Sequence, residues 1–353
     1  MTAPIASVLD ALVRSSDRAG GPALRLPRAL PLVAAAPTLL GELAVIGSAL
    51  GFIGSVPGYP ILLVALFRRA WKADPEKPNE RRRAWLLFGL ALAGYVFLAV
   101  VPVAVRPALM QSKLWRCWLE YMSVRVAYRS GEALPAGQYL YLMMPHGLYP
   151  FSGACASISK MTDVFVRMRM AVAPIGLRIP LIRQLMGWIG CIEANRFSIA
   201  KALARGDSVG LFPGGIGEMM RTRPDQENIL LLQRRGFVKE ALKHGIPIVP
   251  VYVFGQSLAF GHLLMPAWVE RLSRWMRASI ILPFGRFGLL IPRKLPLLYA
   301  IGAPIVCPKL ADGVVPSDGH VEEIHSLVVE SARDLYDFYK GMYGWDNRPL
   351  SIE

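Results

Sequence analysis

The chain has 353 residues, 40 of them Lys or Arg against 25 Asp or Glu, for a formal charge of +15. It is 54% hydrophobic and only 18% charged, with a mean hydropathy of +0.38. Soluble domains average about 45–50% apolar and about 25% charged, so these figures exclude an ordinary cytosolic enzyme, and the hydrophobicity excludes disorder. The basic residues are not interleaved with aromatics in the manner of a nucleic-acid binder. An anionic membrane surface or a phosphorylated substrate is the better match for the positive charge.

Residues 1–38 are rich in Ala and Pro without a sustained period, and predict a flexible lead. Residues 39–110 predict a membrane-embedded region. Within it, 43–67 and 84–105 carry no charged side chain. The second segment would reach about 33 Å as a helix, enough for a hydrocarbon core of about 30 Å. The first is interrupted by Pro57, Gly58 and Pro60 and predicts a kinked span or a re-entrant segment. Between them, 68–83 carries seven positive and three negative side chains. The positive-inside rule assigns that loop to the cytosol, while a monotopic arrangement would keep the whole chain on the cytosolic face. Trp71, Trp85, Trp115 and Trp118 flank the apolar segments and suit the interfacial level; for the last two a core position fits equally.

Residues 111–353 predict an α/β domain with a mixed, mostly parallel sheet flanked by helices. Strands are expected at 138–144, 163–173, 188–194, 208–213, 246–254 and 297–306. Helices are expected at 196–206, 234–245, 265–278 and 321–340, with Gly206 and Gly245 as stops. A helix-like stretch also runs to Ser159. The four cysteines, Cys117, Cys155, Cys191 and Cys307, show neither CxxC nor zinc spacing and read as free thiols, with no metal site.

In open α/β sheets ligands sit at the carboxyl ends of strands. Two turns fall there. Pro145-His146-Gly147 follows the first strand and offers a histidine whose pKa suits proton abstraction from an alcohol. Pro213-Gly214-Gly215-Ile216-Gly217-Glu218 follows another, with backbone N–H groups able to face an anion and a carboxylate in Glu218. Arg196 opens a helix where a phosphate is favoured. There is no GxSxG elbow, since Gly255-Gln256-Ser257-Leu258-Ala259 lacks the last glycine, and no phosphate loop or HExxH. Direct attack by an acceptor alcohol on an activated acyl group fits the histidine best.

These turns, together with Arg235-Gly236-Phe237-Val238-Lys239, Lys243-His244-Gly245, Val249-Pro250-Val251-Tyr252-Val253-Phe254-Gly255 and Ile301-Gly302-Ala303-Pro304-Ile305, resemble the type 2 diacylglycerol acyltransferase family over about residues 112–345. That family includes monoacylglycerol and wax-alcohol acyltransferases. The resemblance implies transfer of a fatty acyl group from acyl-CoA, as co-substrate and without a cofactor, to diacylglycerol. Alternative acceptors are monoacylglycerol, a long-chain alcohol or a lysophospholipid; a silent lipid-droplet or membrane scaffold is a further alternative. It implies residence at the endoplasmic reticulum membrane or lipid droplet with a cytosol-facing catalytic domain, and is compatible with a homo-oligomer.

By the same resemblance His146 is the general base and Glu218 orients it or lines the site. Pro145, Gly147, Pro213, Gly214 and Gly215 form the close-approach turns. Arg196 and Arg235 meet the phosphates of CoA; Gly236 and Phe237 belong to the same block, with Phe237 in the core. Three positions depart from the pattern. Met144 stands where the family has His or Glu, Gln256 where it often has Glu, and Phe151 where the wider superfamily has an aspartate partner for the histidine. His146 then relies on Glu218 reaching it through space, or works unassisted. His244 reads as a cation at a helix C-terminus.

Overall fold

Thr38 caps the first helix, its Oγ1 accepting from the Gly41 N–H at 3.1 Å, and the computed structural model follows the chain from there. It describes residues 38–223, 225–262, 268, 271, 283–311 and 314–353. The predicted lead at 1–38, save Thr38 itself, and nearly all of the predicted helix at 265–278 lie outside the described residues.

Two long antiparallel helices come first, α1 (Leu39–Trp71) and α2 (Pro78–Val100). The expected break at Pro57 and Pro60 is absent, and α1 runs through both. The hairpin is held by contacts between the two helices. Tyr59 donates to the Ala91 carbonyl at 3.0 Å and meets Tyr95 at 5.2 Å between ring centroids, while Phe67 packs on Trp85 and Phe88. By length and composition α2 is apolar enough to cross a membrane.

Both ends of this hairpin return to the α/β body. Near the start of α1, Glu42 pairs with Arg286 and Lys294. Val45 and Ala49 are buried against α4 (Lys113–Tyr121), whose Trp118 donates to Ser48 at 3.1 Å. Trp118 is thus a core residue rather than an interfacial one, whereas Trp71 is exposed. At the far end of α2, Arg183 donates to the Val101 carbonyl at 2.6 Å and Gln184 to that of Leu98. A short α3 (Pro107–Met110) precedes α4.

The body continues as β1 (Arg125–Tyr128), β2 (Leu140–Met144), α5 (Phe151–Ala156), β3 (Met168–Val172), α6 (Ile182–Trp188), β4 (Ile192–Glu193), α7 (Arg196–Ala204), β5 (Ser208–Leu211) and α8 (Gly215–Met219). Then come β6 (Glu227–Ile229), α9 (Gly236–His244), β7 (Ile248–Phe254), β8 (Gly261–His262), β9 (Pro283–Phe284), β10 (Leu298–Ile301), α10 (Asp318–Tyr343) and β11 (Leu350–Ile352). The main sheet has the order β1-β10-β7-β2-β5-β3-β4. Every neighbouring pair is parallel except β10 with β7, so the expected mixed, mostly parallel sheet is what forms.

Both faces of the sheet are covered, which is why its strands read as unbroken apolar runs. Along β2 the pleat sends Tyr141 and Met143 into one core with Tyr121, Phe165 and Tyr299. Leu140, Leu142 and Met144 enter the other, with Val238, Val328 and Tyr336. All seven residues of β7 are buried. Helix caps set the layer on the second face. Asn195 accepts from Ser198 N–H at 2.8 Å, Ser317 from His320 N–H at 3.3 Å, and Gly245 and Gly344 close α9 and α10 in the left-handed region.

Several predicted strands are shorter than expected. At 188–194 only Ile192–Glu193 pairs, because Trp188 closes α6 and Gly190 turns the chain at φ +84°. At 163–173 the strand begins at Met168, after a 3₁₀ turn over Ser159–Asp163. At 297–306 it ends at Ile301, before Gly302 and Pro304. The strands β1, β6 and β11 carry no sequence expectation. The last two pair in parallel outside the main sheet, Leu350 opposite Glu227. All four cysteines are free, Cys155 and Cys307 buried and the other two half-buried.

Candidate active site

β2 ends at Met144, a core residue with no exposed surface, and delivers the chain into the Pro145-His146-Gly147 turn. Gly147 has φ +62°, and a Cβ there would meet the Gln256 carbonyl oxygen at 3.0 Å. The His146 ring is half-buried and stands edge-on to Phe212, with centroids 5.6 Å apart. Its Nδ1 lies 2.8 Å from the Gly147 carbonyl oxygen. A carbonyl only accepts, so this contact puts the proton of the neutral ring on Nδ1 and leaves the Nε2 lone pair free. Burial pushes the His146 pKa below its ordinary value, against a smaller opposing effect of the Gly147 hydrogen bond. The ring is therefore neutral at pH 7 and able to accept a proton.

Glu218 lies on α8, 1% exposed. One carboxylate oxygen accepts from the main-chain N–H of His146 and the other from Leu230 N–H at 3.0 Å. The carboxylate thus meets the backbone of His146, and its bonds go to neither the imidazole nor open solvent. The local reason is the double glycine. α8 begins at Gly215 and folds Glu218 back against Gly214, where a Cβ would stand 1.9 Å from its Oε2. Burial pushes the Glu218 pKa up to about 7, and the two N–H donors restrain the rise.

The other side of His146 is held by Gln256, also 1% exposed. Its Nε2 donates to the His146 carbonyl at 3.2 Å and to that of Tyr149, and its Oε1 accepts from Ser152 N–H at 2.9 Å. Both peptide groups flanking the His146 side chain are thus pinned by buried side chains. Sequence reasoning saw Gln256 only as a lost charge; its place just past the buried β7 was the available signal. Phe151 packs against Trp118, with ring centroids 5.0 Å apart, and the partner of Nδ1 is a peptide carbonyl.

Phe212 also walls a groove of about 380 Å³ shared by Asn195, Arg196, Pro213, Arg234 and Arg235. The groove gathers the sequence-predicted Arg196, Pro213, Arg235, Gly236 and Phe237, and adds Arg234, whose charge acts on Glu218. Arg196 is largely exposed, 4.0 Å from Glu240. Arg235 pairs with Glu322 at 2.8 Å and donates to the Leu232 carbonyl at 2.7 Å. Gly236 opens α9, and Phe237 is buried beside the His325 ring at 6.2 Å. Among the described residues no group of three or more His, Cys, Asp or Glu gathers to hold a metal.

The family model described as diacylglycerol acyltransferase matches residues 82–352. Diacylglycerol O-acyltransferase 2 of Danio rerio is 28% identical over 65% of this chain and 68% of its own length. Acyl-CoA wax alcohol acyltransferase 2 of Homo sapiens is 26% identical, over 66% and 74%. The 2-acylglycerol O-acyltransferase 1 of Bos taurus is 28% identical, over 65% and 73%. Among solved structures, the 1-acyl-sn-glycerophosphate acyltransferase PlsC of Thermotoga maritima aligns with a TM-score of 0.40 at 13% identity, covering 84% of this chain and 97% of that one. The matched family places the protein among the acyltransferases. The chain belongs to the diacylglycerol acyltransferase family.

Proposed function

We propose that the protein esterifies diacylglycerol to triacylglycerol with acyl-CoA as donor, and that His146 is the general base. The observation that carries this reading is the Nδ1 contact with the Gly147 carbonyl, which leaves Nε2 as a free base at the end of β2. The acceptor hydroxyl gives its proton to Nε2 while its oxygen attacks the thioester carbonyl carbon. The tetrahedral intermediate collapses to the ester. The C–S bond breaks, and the departing CoA thiolate takes the proton from the imidazolium. No cofactor enters the balance.

Arg196 and Arg235 supply positive charge for the CoA phosphates, with Pro213, Gly214 and Gly215 allowing close approach of the donor. The α1–α2 hairpin seats the enzyme on the lipid bilayer that dissolves both acceptor and product. The uncharged 84–105 stretch supports this, as does the exposure of Leu62, Leu86, Leu90 and Phe97. An endoplasmic reticulum membrane or lipid droplet with the catalytic domain in the cytosol fits that arrangement. The test is expression in cells that make no neutral lipid, followed by lipid analysis. Triacylglycerol is the expected product. Wax ester would shift the acceptor to a long-chain alcohol, diacylglycerol would shift it to monoacylglycerol, and absence of any new acyl ester would overturn the reading.

A further inference from the structure

Glu227 is a fully buried carboxylate that the chemistry above does not use. It opens β6, and its side chain lies where four parts of the fold meet. Tyr252 of β7 donates to its Oε2 at 3.1 Å, and Ser257 donates to its Oε1 from the turn after β7. Arg348, just before β11, donates to the same Oε1 from Nε at 2.8 Å and forms an ion pair with it, Nη2 standing 2.7 Å away. The hydroxyls and the guanidinium thus saturate a charge that would otherwise be costly to bury.

Two routes lead from this carboxylate to His146. Ser257 directly follows Gln256, whose amide holds the His146 and Tyr149 carbonyls. Glu227 also starts the strand that ends one residue before Leu230, and Leu230 N–H fixes the Glu218 carboxylate that grips the His146 N–H. β6 is in turn held by β11: Glu353 N–H donates to the Ile229 carbonyl at 2.8 Å, and Leu231 N–H to that of Glu353 at 2.7 Å. The groups pinning the two sides of the histidine therefore share one anchor.

We propose that Glu227 is a positioning residue for His146, setting the Gln256 and Glu218 arms in register through Ser257 and β6. The proposal rests on the reading of His146 as the base, and it assigns Glu227 no contact with substrate. Displacing a reacting group by about 1 Å can cost about 10²-fold in rate, so the expected signature is a loss in kcat without a matching change in the KM for acyl-CoA.

The experiment uses the full chain in membranes with three variants. Glu227→Gln should lower kcat by about 10–100-fold with KM within about twofold. Ser257→Ala cuts the Gln256 arm alone and leaves Arg348 paired with Glu227, so it remains informative if Glu227→Gln folds poorly; it should lower kcat by about 3–10-fold. Glu227→Asp, which keeps the charge, should recover part of the loss. Carbethoxylation of His146, followed by mass spectrometry, reads the ring without catalysis and should be faster in Glu227→Gln and Ser257→Ala than in the unaltered protein. Unchanged kcat in folded Ser257→Ala, or an unchanged labelling rate in both variants, overturns the proposal. If the unaltered protein acylates no alcohol, the reading of the function fails, and the labelling rates still decide the positioning role.

Discussion

The His146 turn and the arginine groove both border Phe212 and are built on different physics. Around His146 the N–H, the carbonyl and Nδ1 each have a partner, and two of those partners are side chains only 1% exposed. In the groove Arg196 is largely exposed and stands 4.0 Å from the Glu240 carboxylate. Buried, saturated hydrogen bonds fix direction to a fraction of an ångström, as proton transfer requires. Exposed cations attract a phosphate over a wide range of geometry and are weakened by salt. The first region should therefore fail abruptly on substitution, and the second gradually.

The sharpest test is His146→Ala. Removing a general base costs about 10²–10⁴-fold, and the variant should accumulate at normal levels because a half-buried turn side chain carries little of the core. Full activity in labelled-acyl transfer by isolated membranes would end its assignment as base. Glu218→Gln comes next. An amide oxygen can replace only one of the two acceptors that serve His146 and Leu230, and a loss of about 10²-fold in kcat is expected from the freed turn.

Glu218 also predicts a pH dependence of stability. Its pKa is near 7 in the folded state, above the ordinary 4.5, so the folded state binds the proton more tightly. The stabilising contribution is complete below about pH 4.5 and is lost as pH rises toward 7, a span of about 3 kcal/mol by the pKa difference. Glu218→Gln should flatten that part of the melting-temperature profile. His146 acts oppositely: its lowered pKa favours the fold more as pH rises toward 6.5, and as the proposed base it should set the acid limb of kcat below that value.

Gly214→Ala separates space from charge in the same region. The new methyl would overlap the Glu218 carboxylate, 1.9 Å from Oε2. Displacing it should cost about 1–3 kcal/mol of stability and about tenfold in kcat. An active, fully stable variant would show that the carboxylate can sit elsewhere without harm.

The contrast between the two regions also explains what was legible in the sequence. Pro145-His146-Gly147 and the Gly214-Gly215 pair stand out as glycine turns at strand ends, Gly147 and Gly215 at positive φ and Gly214 leaving room for the Glu218 carboxylate, and the alternation of strands and helices declares the sheet. Glu218 was legible as a carboxylate, but its target was not: whether it meets the ring or the main chain of His146 depends on how α8 folds back, over a distance of 72 residues in sequence. Gln256 was hidden further, because an amide that binds two carbonyls and an N–H looks like a lost charge until β7 places it. The strands β6 and β11 were missed because they are short and pair with each other across more than a hundred residues, outside the periodicity that marked the main sheet.

Arg196→Ala should produce the smallest effect, and it tests the other half of the contrast. Arg196 begins α7, whose cap is Asn195 and not the arginine, so its removal should leave the melting temperature unchanged. Its ion pair with Glu240, at 4.0 Å, is largely exposed on the arginine side and contributes little. If the groove receives the CoA phosphates, the KM for acyl-CoA should rise by about three- to fivefold with kcat preserved, as expected for one solvent-screened phosphate contact. The same variant should also lose part of the salt dependence of KM, because the screened charge has gone. A drop in kcat at unchanged KM would move Arg196 out of the binding groove and into the constellation around His146, and the division between a rigid turn and a loose electrostatic groove would no longer stand.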